Sequence, residues 1–170
     1  MKRAFFLLPF LLLLSCATVD TAVPPAARAE LAPTGKLRVG LIAVSPAHVT
    51  QNTPPGVTRG IAVDIGQQLA RRLGVPMEPV RYPSVRALMD AAGKDEWDVA
   101  FAGINPERAD LVNFTAPYMY VGEAPIGMVV HKRKPAGFAY VHEFIQQMKA
   151  SGAVQEAISR EGLPATRVAQ

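Results

Sequence analysis

The spacing of apolar positions changes several times along the chain, and each change marks an element. Residues 36–43 read Lys-Leu-Arg-Val-Gly-Leu-Ile-Ala, alternating at first and then apolar at successive positions, as in a strand covered on both faces. Residues 45–60 hold three prolines, Asn52, Gly56 and several threonines, which predicts a long loop at a strand end, a common place for function. Ile61, Ile65, Leu69 and Leu73 then recur every four residues, with Gln67, Gln68, Arg71 and Arg72 in the gaps. That is an amphipathic helix closed by Gly74, and Pro76 forbids its continuation.

A second strand over residues 77–82 follows, and Pro83-Ser84 opens a helix whose stripe is Val85, Leu88, Met89 and Ala92, ending at Gly93. Residues 97–102 form a third strand. Strand alternating with helix in this way predicts an α/β fold: a doubly wound, mostly parallel sheet flanked by helices, with ligands beyond the carboxyl ends of the strands. Residues 113–120 read as an extended segment and 124–130 as another apolar strand. Phe138, Val141, Phe144, Ile145 and Met148 share one face of a helix that Gly152 ends, and Val154, Ala157 and Ile158 mark a shorter last helix.

The first residues are of another kind. Met1-Lys2-Arg3 and the apolar stretch 4–14 make a charged n-region and a short h-region, too brief to span a bilayer of about 30 Å. Leu13-Leu14-Ser15-Cys16 resembles a bacterial lipobox, in which the cysteine is lipidated and becomes the mature N-terminus. The competing site is ordinary cleavage after Ala27-Arg28-Ala29. The expectation is a leader at 1–15, a flexible Ala/Pro-rich tether at 16–35, a folded lobe at 36–163 and a tail at 164–170. The folded part is then periplasmic or extracytoplasmic, held to the membrane only through the Cys16 anchor.

Composition narrows the function. Of 170 residues 49% are hydrophobic and 19% charged, enough for one well-filled core. Lys plus Arg number 18 against 14 Asp plus Glu, and setting aside Lys2 and Arg3 leaves 16 against 14. That small excess is scattered, and its one run, Lys132-Arg133-Lys134, has no interleaved aromatics, which argues against nucleic acid as a partner. A single cysteine excludes an internal disulfide and a cysteine-based zinc site, and His48, His131 and His142 have no ligand-like spacing. No cofactor is implied.

The most informative stretch is Gly103-Ile104-Asn105-Pro106-Glu107-Arg108. Asn105 can cap a helix starting at Pro106, whose free amides and dipole favour an anion, and Arg108 in its first turn can grip a carboxylate through two parallel hydrogen bonds. Gly103 permits close approach. Ser45 and Tyr82, at the ends of the first and second strands, complete the candidate binding set. The plainer reading is that Arg108 pairs with Glu107 or Asp110 at the surface, worth about 0–1 kcal/mol. No nucleophile elbow, phosphate loop or His-Glu-x-x-His helix is present, so no catalytic residue and no enzymatic activity are assigned. His48 reads as an exposed loop side chain in preference to a cleft residue. Asp64 reads as a helix-start carboxylate, and Glu96 and Asp98 lie at the wrong end of the sheet for a site.

Gly60-Ile61-Ala62-Val63-Asp64-Ile65, Leu73-Gly74-Val75, Trp97-Asp98-Val99-Ala100, Asn105-Pro106-Glu107-Arg108 and Phe114-Thr115-Ala116-Pro117-Tyr118 together resemble the family 3 bacterial extracellular solute-binding proteins, the periplasmic component of polar amino-acid ABC importers. The likeness runs over residues 35–163 and implies one lobe of a type II periplasmic-binding-protein fold. It also implies that Arg108 grips a ligand α-carboxylate, helped by donors at the preceding strand end. The sequence departs from the pattern at Asn105, where threonine is usual, and at Gly103, where a donor serine is common. Val44-Ser45-Pro46-Ala47-His48 lacks the aromatic that covers the ligand.

The largest departure is that the chain passes from Tyr118 to the closing helices without a second lobe. The resemblance therefore implies weak binding of an amino acid or organic acid, with ABC importer membrane subunits as partners. The exposed cleft wall would alternatively dock a second envelope protein, or a second copy as a homodimer.

Overall fold

The computed structural model describes residues 22–50 and 57–170. The leader, the lipobox and Cys16 lie outside the described residues. A seven-stranded sheet carries the fold. β1 (Leu37–Ile42) lies between β2 (Met77–Tyr82) and β3 (Val99–Gly103), both parallel to it. β6 (Ala124–His131) runs antiparallel to β3, and its far side takes β4 (Val112–Phe114) and β5 (Met119–Val121), with β7 (Thr166–Val168) beyond β5. Parallel pairing is confined to β2-β1-β3, where helices cross over between strands. β6, by contrast, follows β5 through a tight turn at Gly122, whose φ of 57° lies in the left-handed region.

Helices cover both faces, so the sheet is doubly wound. α2 (Ile61–Leu73), α4 (Pro135–Ala150) and α5 (Ala153–Glu161) bury one core with Val39, Leu41, Phe101 and Met128, while α3 (Val85–Ala92) covers a smaller one around Leu88, Trp97 and Ala100. Gly74 ends α2 in the left-handed conformation, and Ser84 Oγ caps α3 by accepting from Ala87 N at 3.1 Å. Both boundaries stand where the sequence puts them. Only residues 132–134 separate β6 from α4.

Two expectations are corrected. Part of the tether is helix: α1 (Pro25–Leu31) packs on α4, with Ala27 and Leu31 fully buried and Glu30 Oε2 accepting from Gly137 N at 2.7 Å. A Cβ on Gly137 would fall 2.9 Å from Leu31 Cδ2, so glycine there makes the seat for that leucine. The tail, too, is ordered in part, because β7 pairs with β5 and Ala169 N donates to Tyr118 O at 3.0 Å.

The amino ends of the parallel strands are held by charge. Asp98 is fully buried and accepts from Arg38 N, Nε and Nη2 at 3.0, 3.0 and 2.8 Å and from Lys134 Nζ at 2.9 Å. This network ties β1, the entry to β3 and the start of α4 together at the end of the sheet away from Gly103, as its sequence position foretells.

Candidate functional site

In the β1–β3 register Val39 lies opposite Val99 and Gly40 opposite Ala100, and continuing it sets Ala43 against Gly103. The loop carrying Ser45 therefore leaves the sheet beside Gly103 to Arg108, so two of the three parallel strands deliver candidate residues to one rim.

The helix expected at Pro106 is a single 3-10 turn, Pro106–Arg108. Its donors are used within the turn: Glu107 N to Asn105 Oδ1 at 2.9 Å, Arg108 N to Asn105 O at 3.0 Å and Ala109 N to Pro106 O at 2.9 Å. A turn this short sums almost no dipole, so the helix-terminus anion site read from the sequence does not form. Asn105 does cap the turn, which commits its side chain, but its own N–H has no hydrogen-bond partner among the described residues.

Arg108 is half-buried and folds back over the strand end, Nη1 donating to Gly103 O at 2.9 Å. Among the described residues no acidic side chain pairs with it, so the surface pairing with Glu107 or Asp110 is not found. A Cβ on Gly103 would lie 3.9 Å from that nitrogen, so the glycine lets the guanidinium lie along the strand end. The remaining guanidinium donors, the Asn105 N–H and the half-buried Ser45, whose hydroxyl has no partner among the described residues, are what the rim offers a ligand. Charge-assisted bonds from such a fork suit a carboxylate.

Tyr82 is not brought to this group. Its ring packs under α3 with Leu88 and Trp97, and its hydroxyl donates to Glu96 Oε2 at 3.2 Å, before the start of β3. Desolvation and that carboxylate push the phenol up to about 12, which keeps it a neutral donor. An open hollow of about 380 Å³ borders the Pro106 turn, lined by Asn105, Pro106, Val112, Phe114, Lys132 and Phe138, and Arg108 does not line it. No group of three His, Cys, Asp or Glu that could hold a metal occurs among the described residues.

His48 departs most from its sequence reading. It is 2% exposed, with its ring edge-on to Phe101 at 6.2 Å and its Nδ1 accepting from Ile42 N at 3.1 Å. The signal was its neighbours Ala47 and Val49, both buried, which mark a loop folded inward.

The family model for bacterial extracellular solute-binding proteins, family 3, matches residues 37–161. Among solved structures, the arginine-bound form of domain 1 from TmArgBP (T. maritima) is 28% identical with a TM-score of 0.59, over 69% of this chain and 97% of that one. A putative ABC-transporter binding component from Wolinella succinogenes complexed with lysine is 16% identical, TM-score 0.61, over 75% and 95%. An ancestral cyclohexadienyl dehydratase is 17% identical, TM-score 0.67, over 80% and 96%. These last two share the fold. No match is found among curated proteins.

Proposed function

The chain belongs to the bacterial extracellular solute-binding proteins, family 3, and from that premise we propose that it binds a small carboxylate, an amino acid or organic acid, on a single lobe outside the cytoplasm. The observation that carries this is Arg108: a half-buried guanidinium which, among the described residues, has no acidic partner, near the Ser45 loop and an Asn105 N–H that likewise has no partner among them. Gly103 gives the ligand room. In this reading Cys16 anchors the lobe to the membrane, ABC importer subunits receive the ligand, and no bond in it is broken.

One lobe covers one side of a ligand, whereas small-molecule sites normally bury most of it. If a two-lobed relative binds at about 1 μM, keeping half of that free energy leaves about 1 mM. The arginine-bound state of an isolated first domain, 28% identical to this chain, supports binding by one lobe. Calorimetric titration with L-arginine, L-lysine, L-glutamate and succinate, repeated on Arg108→Ala, is the test. Millimolar binding that the substitution abolishes is the expected result, and binding that Arg108→Ala leaves unchanged refutes the reading. A second reading, docking of another envelope protein on the same wall, is favoured by Val44, 70% exposed just beyond β1. Silence toward every ligand together with partner capture through Val44 would select it.

A further inference from the structure

The loop that carries Ser45 is fastened by one side chain. Ser45 N donates to Ile42 O at 3.1 Å, and Ser45 O accepts from both His48 N and Val49 N at 3.0 Å, closing a tight turn off the end of β1. Ile42 N, the last amide of β1, donates to His48 Nδ1 at 3.1 Å. The ring is thus both the plug of the turn and the acceptor for the strand end. On its other side the His48 carbonyl sits against the start of α2: a Cβ on Gly60 would fall 2.3 Å from His48 O, and Gly60 has a φ of 142°. Thr50 N to Arg59 O at 2.7 Å closes the same seam.

An imidazole accepts at Nδ1 only when neutral with its proton on Nε2. Protonation turns Nδ1 into a donor facing the Ile42 N–H and leaves a cation in an apolar pocket. No charged residue lies in 43–50 or in β3. Arg38, at the start of β1, is paired with Asp98. Asp64 on α2 is paired with Arg160, and Arg59 ahead of α2 with Glu161, while Arg71 and Arg72 stand at the far end of α2. Glu161 reaches this loop only at Thr50, whose hydroxyl donates to it, and among the described residues no acidic group is hydrogen-bonded to the imidazole, so burial pushes this histidine down to about 4.

We infer that His48 is a positioning residue for the carboxylate rim: neutral, it latches the Ser45 loop to the end of β1, and its protonation opens the latch and weakens ligand binding. The inference rests on the carboxylate reading for its ligand but not for its latch, and the two are read separately. Backbone-amide exchange and imidazole titration by NMR, from about pH 7 down to about pH 2.5, follow the latch on both sides of its midpoint. The protection factor of the Ile42 amide should fall along the same curve as His48, with a midpoint near 4. L-arginine affinity, measured in parallel, should fall on that curve too.

His48→Asn keeps an acceptor oxygen near the Nδ1 position without a titrating proton. It should hold affinity within about threefold at neutral pH and abolish the acid loss attributed to His48, whereas His48→Leu should lose affinity about tenfold at neutral pH. Unchanged affinity in His48→Leu, Ile42 protection indifferent to acid, or an acid loss that persists in His48→Asn would overturn the inference. A wild type that binds none of L-arginine, L-lysine, L-glutamate and succinate at neutral pH while Ile42 still follows His48 refutes the carboxylate reading and upholds the latch.

Discussion

Removing the Asp98 carboxylate is the sharpest test of what holds the lobe together. In Asp98→Ala, Arg38 and Lys134, whose side chains are only 19% and 12% exposed, face each other without the anion that now binds both. The Arg38 N–H also loses its acceptor. Breaking a buried ion pair from one side costs about 3–5 kcal/mol, because the surviving charges stay desolvated and uncompensated. Against a typical total of about 5–15 kcal/mol, that is a large share of the stability.

Urea unfolding followed by circular dichroism reads it directly. With a slope of about 1–3 kcal/mol/M, a loss of about 4 kcal/mol moves the midpoint by between about 1 and 4 M. Arg86–Asp90, with side chains 92% and 68% exposed, is the internal control, and losing it should cost less than about 0.5 kcal/mol. Since the network lies at the opposite end of β3 from Arg108, ligand affinity at low denaturant should not change. An Asp98→Ala variant within about 1 kcal/mol of wild type would refute the argument, placing the network in the class of exposed pairs.

Leu31→Ala tests whether α1 is part of the fold: with Leu31 fully buried against Gly137, the loss should be about 2–5 kcal/mol by urea unfolding, and no measurable loss would return α1 to the status of a tether. Gly60→Ala should destabilise by more than about 1 kcal/mol, since both its φ of 142° and the His48 carbonyl oppose a side chain, and a neutral result would show that the seam yields freely. His48 also makes stability depend on pH. Its ordinary value is 6.5 and its folded value about 4, so between them the unfolded chain binds the proton more readily. The contribution is complete above about pH 6.5 and falls as pH drops, by about 2 kcal/mol at pH 5 and about 3 kcal/mol at pH 4. The difference between wild type and His48→Asn in urea unfolding at those pH values should show this loss, and parallel pH profiles would count against it.

Much of the lobe is written in short-range pattern. The four-residue recurrence from Ile61 to Leu73, the Gly74 stop, the Ser84 cap and the apolar second half of β1 each name an element from neighbours a few residues away, and all four stand in the structure. That Arg108 lies at the end of β3 was legible for the same reason, since it follows Gly103 by five residues and its guanidinium reaches back to Gly103 O. Asn105 as a cap was equally local.

What the pattern could not supply depends on partners far along the chain. Seven residues with two buried positions make too weak a period to announce α1, which exists because Leu31 finds a seat beside Gly137, more than a hundred residues on. β7 is three residues whose only reason to be a strand is β5. Tyr82 stands at a strand end, as a binding residue should, yet its ring turns into the α3 core and its hydroxyl finds Glu96. His48 sits in a proline-marked loop and is nonetheless buried, because Phe101 and the turn at Ser45 enclose it. The sequence by itself determined the elements, the order of the parallel strands' chemistry and the guanidinium at the rim, because propensity, capping and periodicity are local. Only the tertiary structure decided which polar groups are used up, which stay free and which are buried, because desolvation and hydrogen-bond satisfaction are properties of the whole packed lobe.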